Sequence, residues 1–176
     1  MPDSLVVPLP VLHGERVTLR PVEAGDIERL TEILREPEVA RWFGTYTPEE
    51  TADEFLADPS VTAFAIEADG EIVGGIQFYE ENERDYRHAG MDLFLATESQ
   101  NQGLGTEALR VLAGYLLEER GHHRLIIDPA ASNDRAIKVY KRIGFRPVGV
   151  MRAYERSPDG TFQDGLLMDM LEGELR

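Results

Sequence analysis

The sequence predicts a domain of mixed α/β class, in which helices flank a mostly antiparallel central sheet. Strand-like segments stand before and after two long helical segments in the middle of the chain. The dipeptide Asp69-Gly70 separates two of these segments and is typical of a hairpin, which pairs antiparallel strands. The apolar segment 124–127 stops at Asp128-Pro129, as a buried parallel strand does. A mixed sheet with one helical crossover accounts for all of these patterns.

The length and composition are those of one globular domain. A chain of 176 residues can bury about two thirds of its unfolded surface, and no repeat or linker interrupts it. We therefore expect residues 1–176 to form a single domain. Residues 1–12 are expected to be a tail or edge segment, because Pro8 and Pro10 disfavour a central strand. The apolar run 5–12 is too short to cross a membrane, so we expect a cytoplasmic protein with no membrane partner.

Composition excludes several kinds of site. The chain contains no cysteine, which rules out disulfides, thiolate zinc sites and a cysteine nucleophile. His122 and His123 have no partners at a metal-ligand spacing, so we predict no metal. The net charge of −15 makes nucleic acid an improbable partner, because phosphates repel acidic surfaces.

The charge is unevenly distributed along the chain. Residues 23–58 contain eleven acidic and three basic residues, whereas residues 120–156 contain nine basic and three acidic ones. The basic region suits a polyanionic cofactor, and an acidic rim attracts a cationic substrate. The alternative for 23–58 is that its acids are solvated helix faces.

The first third of the chain predicts one strand and two helices. Residues 16–20 alternate apolar and polar side chains up to a proline, which indicates a strand. Residues 22–35 have helical periodicity and stop before Pro37. A second, acidic helix begins at 47–48 and carries apolar residues at 55–56. The inward-facing residues of the first helix are expected to be Ile27, Leu30, Ile33 and Leu34.

Three aromatic residues, Trp42, Phe43 and Tyr46, lie between these two helices. They either form the wall of a substrate cleft, with Trp42 in contact with the substrate, or pack together as core.

The middle of the chain predicts three strands. Residues 62–68 and 71–79 form the two arms of the hairpin, and residues 89–96 alternate as the next strand. Between them, residues 80–87 are too charged for a core and form a loop or a strand extension. Its carboxylates either line an acidic cleft or are solvated; these are Glu80, Glu81, Glu83 and Asp85.

A glycine-containing segment then opens the longest helix. Gly103 and Gly105 lack a Cβ, so the backbone can turn tightly and bring its N–H groups close to an anion. The N-terminus of the helix favours negative charge there. A dinucleotide-binding loop needs a third glycine and a P-loop needs a lysine, and the segment has neither. The segment is therefore either a pyrophosphate cradle or a plain helix start. The helix itself has apolar residues at helical spacing: Leu104, Ala108, Val111, Leu112 and Tyr115.

The last third predicts one helix and two strands. The helix is capped by Ser132 or Asn133 and ends at Gly144. The strands comprise residues 145–154 and 162–171, with a proline- and glycine-containing turn between them.

The glycine segment Gln100-x-x-Gly103-x-Gly105 resembles the acetyl-CoA loop of the GNAT superfamily of N-acyltransferases. The opening segment 14–21 is similar to that superfamily as well. So is the segment 133–145, in which Asn133, Tyr140 and the pair Gly144-Phe145 have the expected order and spacing. The resemblance covers nearly the whole chain, and it implies a GNAT acyltransferase fold with acetyl-CoA as the cofactor.

Within the superfamily, three local matches resemble the aminoglycoside 6'-N-acetyltransferases. They are Gly90-x-Asp92, the run from Asp128-Pro129 to Ile137, and Pro158-Asp159-Gly160. Relatives that acetylate ribosomal-protein N-termini share the opening and the glycine segment. This chain departs from the pattern at 161–164, so either Asp159 or Asp164 is expected to face the substrate.

Acetyl transfer to an amine requires a base, a donor to the carbonyl oxygen and an acid. Asp92 is the candidate base, either directly or through a water; the alternative is an edge or turn carboxylate. Tyr140 is the candidate acid for the departing sulfur, as the resemblance implies; the alternative is a core tyrosine. The resemblance also implies that a bulge near 93–95 turns a backbone N–H toward the carbonyl oxygen.

The remaining candidates bind the two reactants. Asn133 is expected to cap its helix, to bind the pantetheine arm, or both. Asp128 either anchors the ammonium group or is ordinary turn chemistry before a proline. The residues expected to bind acetyl-CoA are Leu93, Phe94, Leu95, Gln100, Asn101, Gln102, Gly103, Leu104, Gly105, Thr106, Asn133, Ala136 and Tyr140. The residues expected to contact the substrate are Trp42, Asp92, Asp128, Asp159 and Asp164.

These patterns together predict an acetyl-CoA-dependent N-acetyltransferase with direct transfer and no covalent enzyme intermediate. The favoured acceptor is a primary amine of a polycationic small molecule, above all the 6'-amine of an aminoglycoside, which several carboxylates would bind. The alternatives are a protein N-terminus or a polyamine as the acceptor, and, in a different class, a non-catalytic acyl-CoA-binding domain. The resemblance also implies a possible homodimer, for which the sequence itself shows no interface.

Overall fold

A mixed sheet of eight strands is the centre of the computed structural model, which describes residues 8–176. The strands are β1 (Leu12–His13), β2 (Val17–Pro21), β3 (Thr62–Ala68), β4 (Glu71–Glu81), β5 (His88–Leu95), β6 (Arg124–Ile127), β7 (Arg146–Arg156) and β8 (Phe162–Leu171). The helices are α1 (Ile27–Leu34), α2 (Pro37–Phe43), α3 (Pro48–Ala52), α4 (Leu104–Gly114) and α5 (Asp134–Ile143). Wider turns extend α3 to Ala57 and α4 to Glu119.

The strand order across the sheet is β1-β2-β3-β4-β5-β6-β8-β7, and the predicted mixed class is confirmed. Neighbouring strands are antiparallel except β5 and β6, which the helical crossover makes parallel. These two strands pair only at Ala89–Leu125 and Gly90–Ile126. Beyond Gly90 they diverge, so the sheet opens in its middle.

Local sequence explains how several elements begin and end. Asp69 and Gly70 have φ values of 51° and 81°, as the tight turn between two antiparallel strands requires. Thr47 caps α3 through its hydroxyl, and Glu50 completes the capping box. Asn133, rather than Ser132, caps α5 with its side chain.

Two apolar clusters pack on the sheet. The larger one joins the sheet to α4 and α5, whereas the smaller one joins it to α1, α2 and α3. Phe94 of β5 is central to the smaller cluster, because the rings of Phe43 and Phe55 both meet it edge-on at 5.7 Å. Helices therefore cover both faces of β5 up to the opening in the sheet.

The structure corrects two sequence-based assignments. The segment 22–35 is helical only from residue 24, as one 3-10 turn followed by α1. Pro37, which we interpreted as a helix stop, begins α2, because a proline is well suited to the first helical position. The expected edge segment contains the edge strand β1, while residues 1–7 lie outside the described residues. No helix in the part of the chain that the structure describes is long and apolar enough to cross a membrane.

Candidate active site

The opening between β5 and β6 is the mouth of a cleft of about 1010 Å³. The end of β5, the glycine segment and the exposed face of α5 line one part of it. The aromatic residues of α2 and a group of carboxylates line the other part. The cleft thus has a basic region and an acidic region that meet at the end of β5.

The glycine segment directs a row of backbone N–H groups to the basic region. Asn101 and Gly103 have φ values of 61° and 82°, so the chain turns tightly just before α4 begins. Within residues 8–176, none of the N–H groups from 101 to 106 has a hydrogen-bond acceptor. Gln102 and Leu104 are not among the residues that line the cleft, whereas Asn101, Gly103, Gly105 and Thr106 are.

Cations of α5 flank the same segment. Asn133 Oδ1 accepts the N–H of Ala136 at 3.2 Å, and both residues line the cleft. The exposed basic residues of α5 that line it are Arg135, Lys138 and Arg142. A row of unpaired amides beside three cations fits a diphosphate, so the residues present fit acetyl-CoA.

The end of β5 presents its backbone to the opening. The N–H of Ala96 donates to Val73 of β4 at 2.8 Å, and N–H directions alternate along a strand. The N–H groups of Leu93 and Leu95 therefore face the opening. Leu93 donates to its neighbour Asp92 at 2.8 Å, which leaves the N–H of Leu95 available to an oxygen in the cleft. The expected bulge near 93–95 is absent, because β4 and β5 pair in an unbroken register; the divergence from β6 exposes this backbone instead.

Asp92 lies where the two regions of the cleft meet. It sits opposite Gln77 of β4, and its carboxylate accepts the N–H of Leu93. Burial raises the pKa of Asp92 to about 7; the Leu93 N–H opposes this rise, and neighbouring carboxylates strengthen it. A carboxylate with a pKa near neutrality can take a proton from a bound amine.

Tyr140 lies on α5 and lines the cleft. Its ring packs edge-on against Phe145 at 6.2 Å, so the expected core packing and a role in the cleft are both compatible with its position. Among the described residues its hydroxyl has no hydrogen-bond partner. Burial raises the pKa of the phenol, and the charges of Asp92 and Asp128 raise it further. The phenol therefore remains protonated at neutral pH and can donate.

Carboxylates surround Asp92 in the acidic region: Glu54, Asp128 and Glu155. Glu54 accepts the hydroxyl of Tyr46 at 2.6 Å, and Asp128 accepts the hydroxyl of Tyr154 at 2.6 Å. The hydrogen bond to Asp128 raises the pKa of Tyr154 to about 12. Glu54 and Asp128 are thus each held by a protonated tyrosine and keep acceptor capacity for a cation.

Aromatic residues of α2 and of the loop that follows it form one wall of the acidic region. Trp42, Phe43 and Tyr46 all line the cleft. The guanidinium carbon of Arg41 lies 4.8 Å from the centre of the Trp42 ring, which holds the ring in a cation–π contact. Phe43 also packs on Phe94, so the wall continues into the core.

Sequence reasoning missed Glu54 and Glu155. Neither residue belongs to a motif, and each stands among other charged residues. The clustering of acids in 23–58 was the signal for Glu54. For Glu155 there was no signal, because a distortion of β7 determines its position.

Other predicted acidic residues lie away from the cleft. Asp159 is exposed in the β7–β8 turn and accepts the N–H and hydroxyl of Thr161 at 2.9 and 2.6 Å. Asp164 accepts the N–H of Ala153 at 2.8 Å, and it is outside the cleft lining as well. Neither of these two aspartates, one of which we expected to face the substrate, is among the residues that line the cleft.

Glu80 and Glu81 of the charged segment 80–87 extend β4, and residues 82–87 form a largely exposed loop; the carboxylates of the segment do not line the cleft. Glu80 forms an ion pair with Arg120 and a hydrogen bond with His122, both at 2.6 Å. Within residues 8–176, no group of three or more potential metal ligands is close enough to hold an ion.

Comparison with known proteins establishes the class. The sequence profile of the acetyltransferase (GNAT) domain matches residues 16–146, and this chain belongs to that family. It is an acyltransferase, and acetyl-CoA is the acetyl donor that enzymes of this family use.

Three individual proteins illustrate the similarity. The aminoglycoside N(6')-acetyltransferase type 1 of Klebsiella pneumoniae is 31% identical over an alignment of 165 positions, and the match covers 84% of this chain and 80% of that protein. The spermidine N(1)-acetyltransferase of Escherichia coli K12 is 26% identical over an alignment of 166 positions, and the match covers 91% of this chain and 87% of that protein. The crystal structure of the enzyme AAC(6')-Ib in complex with paromomycin and acetyl-CoA superposes on this chain with a TM-score of 0.75 at 29% identity. The superposition covers 90% of this chain and 94% of the AAC(6')-Ib chain.

Proposed function

We propose that this enzyme acetylates a primary amine of a polycationic small molecule, and that the 6'-amine of an aminoglycoside is the favoured acceptor. The observation that carries the proposal is the acidic region of the cleft. Its carboxylates, Glu54, Asp92, Asp128 and Glu155, lie together at the end of β5. Such a group attracts a substrate with several ammonium groups and binds it by charge-assisted hydrogen bonds.

The polarity of the cleft orients the two reactants. The unpaired amides of 101–106 and the cations of α5 hold phosphate at the basic end, while the carboxylates hold ammonium groups at the acidic end. Acetyl-CoA supplies the acetyl group as an activated thioester. The reacting groups meet at the end of β5, beside Asp92 and the N–H of Leu95.

Each step of the transfer has a residue in position. Asp92, directly or through a water, takes the proton that the ammonium must lose before its nitrogen can attack. The N–H of Leu95 donates to the carbonyl oxygen as that oxygen gains negative charge. As the new C–N bond forms and the C–S bond breaks, Tyr140 gives its phenol proton to the departing sulfur, and the second proton that the attacking nitrogen loses restores the phenol.

Two kinds of acceptor deserve direct comparison. The relative from Klebsiella pneumoniae is named for aminoglycosides and the relative from Escherichia coli for spermidine. The aromatic wall of Trp42, Phe43 and Tyr46 favours the aminoglycoside, because flat rings pack well against sugar rings, whereas a linear polyamine needs only the carboxylates.

The experiment that tests the proposal is acetyl-CoA-dependent thiol release with four acceptors. They are an aminoglycoside with a 6'-amine, a matched aminoglycoside with a 6'-hydroxyl, spermidine, and a peptide with a free N-terminus. We expect turnover with the 6'-amine and its loss with the 6'-hydroxyl. Turnover with spermidine or the peptide alone would overturn the aminoglycoside as the acceptor.

A further inference from the structure

The edge strand β7 is distorted beside the cleft. Its pairing with β8 passes from Met151–Gly165 directly to Glu155–Gln163, so residues 152–154 of β7 stand opposite the single residue Asp164. Within this bulge Ala153 has a φ of 50°, a conformation that costs free energy for a residue with a Cβ. Such a bulge persists only where its surroundings hold it in place.

Asp164 is the residue that holds the bulge. Its carboxylate accepts the N–H of Ala153 at 2.8 Å. Its backbone carbonyl accepts the N–H of Ala131 at 2.8 Å, and next to it the N–H of Leu166 donates to Pro129 at 2.9 Å. Asp164 therefore connects the bulge of β7 with the loop that follows Asp128.

The bulge determines where two side chains of the acidic region lie. Tyr154 packs over Gly165, where an added Cβ would lie 2.8 Å from the Tyr154 ring. From there its hydroxyl reaches Asp128 at 2.6 Å. The next residue, Glu155, lines the cleft. Without the bulge, the alternation of β7 would direct these two side chains differently.

We infer that Asp164 is a positioning residue for amine recognition: by holding the bulge 152–154 it places Tyr154 and Glu155 at the acidic end of the cleft, and it does not contact the amine itself. This inference rests on the proposed function of that end as the amine site. It gives a different role to an aspartate that the sequence pattern had assigned to direct substrate contact.

Substitutions of Asp164 separate positioning from direct contact. In Asp164→Ala the N–H of Ala153 loses its acceptor, and we expect the KM for the amine to rise about tenfold while the KM for acetyl-CoA changes less than about twofold. In Asp164→Asn an amide oxygen still accepts that N–H, so we expect an amine KM close to that of the wild type. Asp159→Ala, in the same hairpin, is the matched control and should leave both constants unchanged. An Asn variant as defective as the Ala variant would show that the charge itself binds the amine and would overturn the inference.

A second variant displaces the Tyr154 ring without changing Asp164. Gly165→Ala leaves Asp164 intact but places a methyl group against the Tyr154 ring. We expect it to raise the amine KM and to leave the acetyl-CoA KM unchanged. An amine KM equal to that of the wild type would mean that the position of Tyr154 does not matter for recognition.

Hydrogen exchange of the backbone amides provides a readout that needs no amine substrate. In Asp164→Ala we expect faster exchange of the amides of 152–154 than in the wild type, with unchanged exchange in β3 and β4; Asp164→Asn should retain the protection. Unchanged protection in Asp164→Ala would refute the positioning role whatever the substrate is. Failure of all acceptors in the thiol-release assay, with the exchange result as expected, would refute the proposed function alone.

Discussion

Arg16 and Glu107 join strand β2 to the cofactor end of the cleft. The Arg16 N–H donates to Glu107 Oε1 at 2.7 Å, and its Nε donates to Oε2 at 3.2 Å. The same guanidinium donates through Nη1 to the carbonyl of Gln102 at 2.9 Å, and Glu107 also accepts the N–H of Val17 at 3.1 Å. By holding the Gln102 carbonyl away from the cleft, this pair leaves the neighbouring N–H groups directed into it.

Glu107→Ala is expected to weaken acetyl-CoA binding more than catalysis. The substitution leaves the N–H groups of Arg16 and Val17 without their acceptor and frees Arg16 from the glycine segment. We expect a KM for acetyl-CoA about tenfold higher, with kcat changed less than about threefold. Steady-state kinetics at a saturating amine concentration measure both constants. Glu118→Ala, an exposed residue after the same helix, is the control, and a drop in kcat alone would contradict the prediction.

Asp92→Asn is expected to lower turnover by about a hundredfold or more, because the amide cannot accept the ammonium proton. Acetyl-CoA affinity should be unchanged. Because only the deprotonated carboxylate acts as a base and burial raises its pKa to about 7, kcat/KM of the wild type should rise as pH increases through about 7. This rise of kcat/KM with pH should be absent in Asp92→Asn. A wild-type turnover number in the variant would remove Asp92 from the role of base.

The raised pKa of Asp92 also predicts how the stability of the fold changes with pH. A carboxyl whose pKa is raised by folding is best accommodated in its neutral form, so the cost of burying its charge grows as pH rises from about 4, where the unfolded carboxyl ionises, and is complete above about 7. Asp92→Asn should therefore raise the Tm relative to the wild type, and by more at pH 8 than at pH 5. Calorimetry at the two pH values tests this, and equal shifts at both would contradict the burial argument.

Tyr140→Phe is expected to slow the chemical step while acetyl-CoA binding is retained. The ring can still pack on Phe145, but no proton donor remains near the departing sulfur. We expect a single-turnover rate at least about tenfold lower. Tyr115→Phe, a buried tyrosine outside the cleft, serves as the control. A wild-type single-turnover rate in Tyr140→Phe would exclude it as the acid.

Glu54→Gln is expected to weaken binding of the amine. The glutamine oxygen can still accept the Tyr46 hydroxyl, so the change removes the charge with little change of shape. We expect the KM for the amine to rise about tenfold and the KM for acetyl-CoA to stay constant. Glu49→Gln, exposed on the same helix, is the matched control. An unchanged amine KM would remove Glu54 from the substrate site.

Asp26→Asn is expected to destabilise the fold without touching the cleft. Arg20 donates to both oxygens of Asp26 at 2.7 and 2.8 Å, and these bonds hold the pKa of the carboxyl below its usual value. We expect the free energy of unfolding to fall by about 2 kcal/mol at pH 7. Because the folded pKa is lowered, the wild type loses this stability as pH falls below about 4, so the difference between the two proteins should shrink there. Urea unfolding at both pH values measures it, with Glu32→Gln in an exposed ion pair as the control.

Elements that depend only on residues adjacent to one another in the sequence were predictable. The hairpin turn at Asp69-Gly70, the cap at Asn133 and the turn of the glycine segment each follow from the backbone conformations or hydrogen bonds that one or two residues prefer. Apolar spacing was sufficient for α4 and for β6 because each buries a continuous face. Pro37 was misinterpreted because a proline is as compatible with the start of a helix as with its end.

The sequence by itself determined the order of the strands and helices other than β1 and α2, the turn of the glycine segment, and the candidates Asp92 and Tyr140, because those features are local or lie in motifs. The tertiary structure alone decided which other carboxylates join Asp92. Glu54 comes from the extension of α3, between β2 and β3, Glu155 follows a bulge in the edge strand, and Asp164 turns away to hold that bulge. Their positions depend on contacts between residues far apart in the chain, and no local pattern of residue types encodes such contacts.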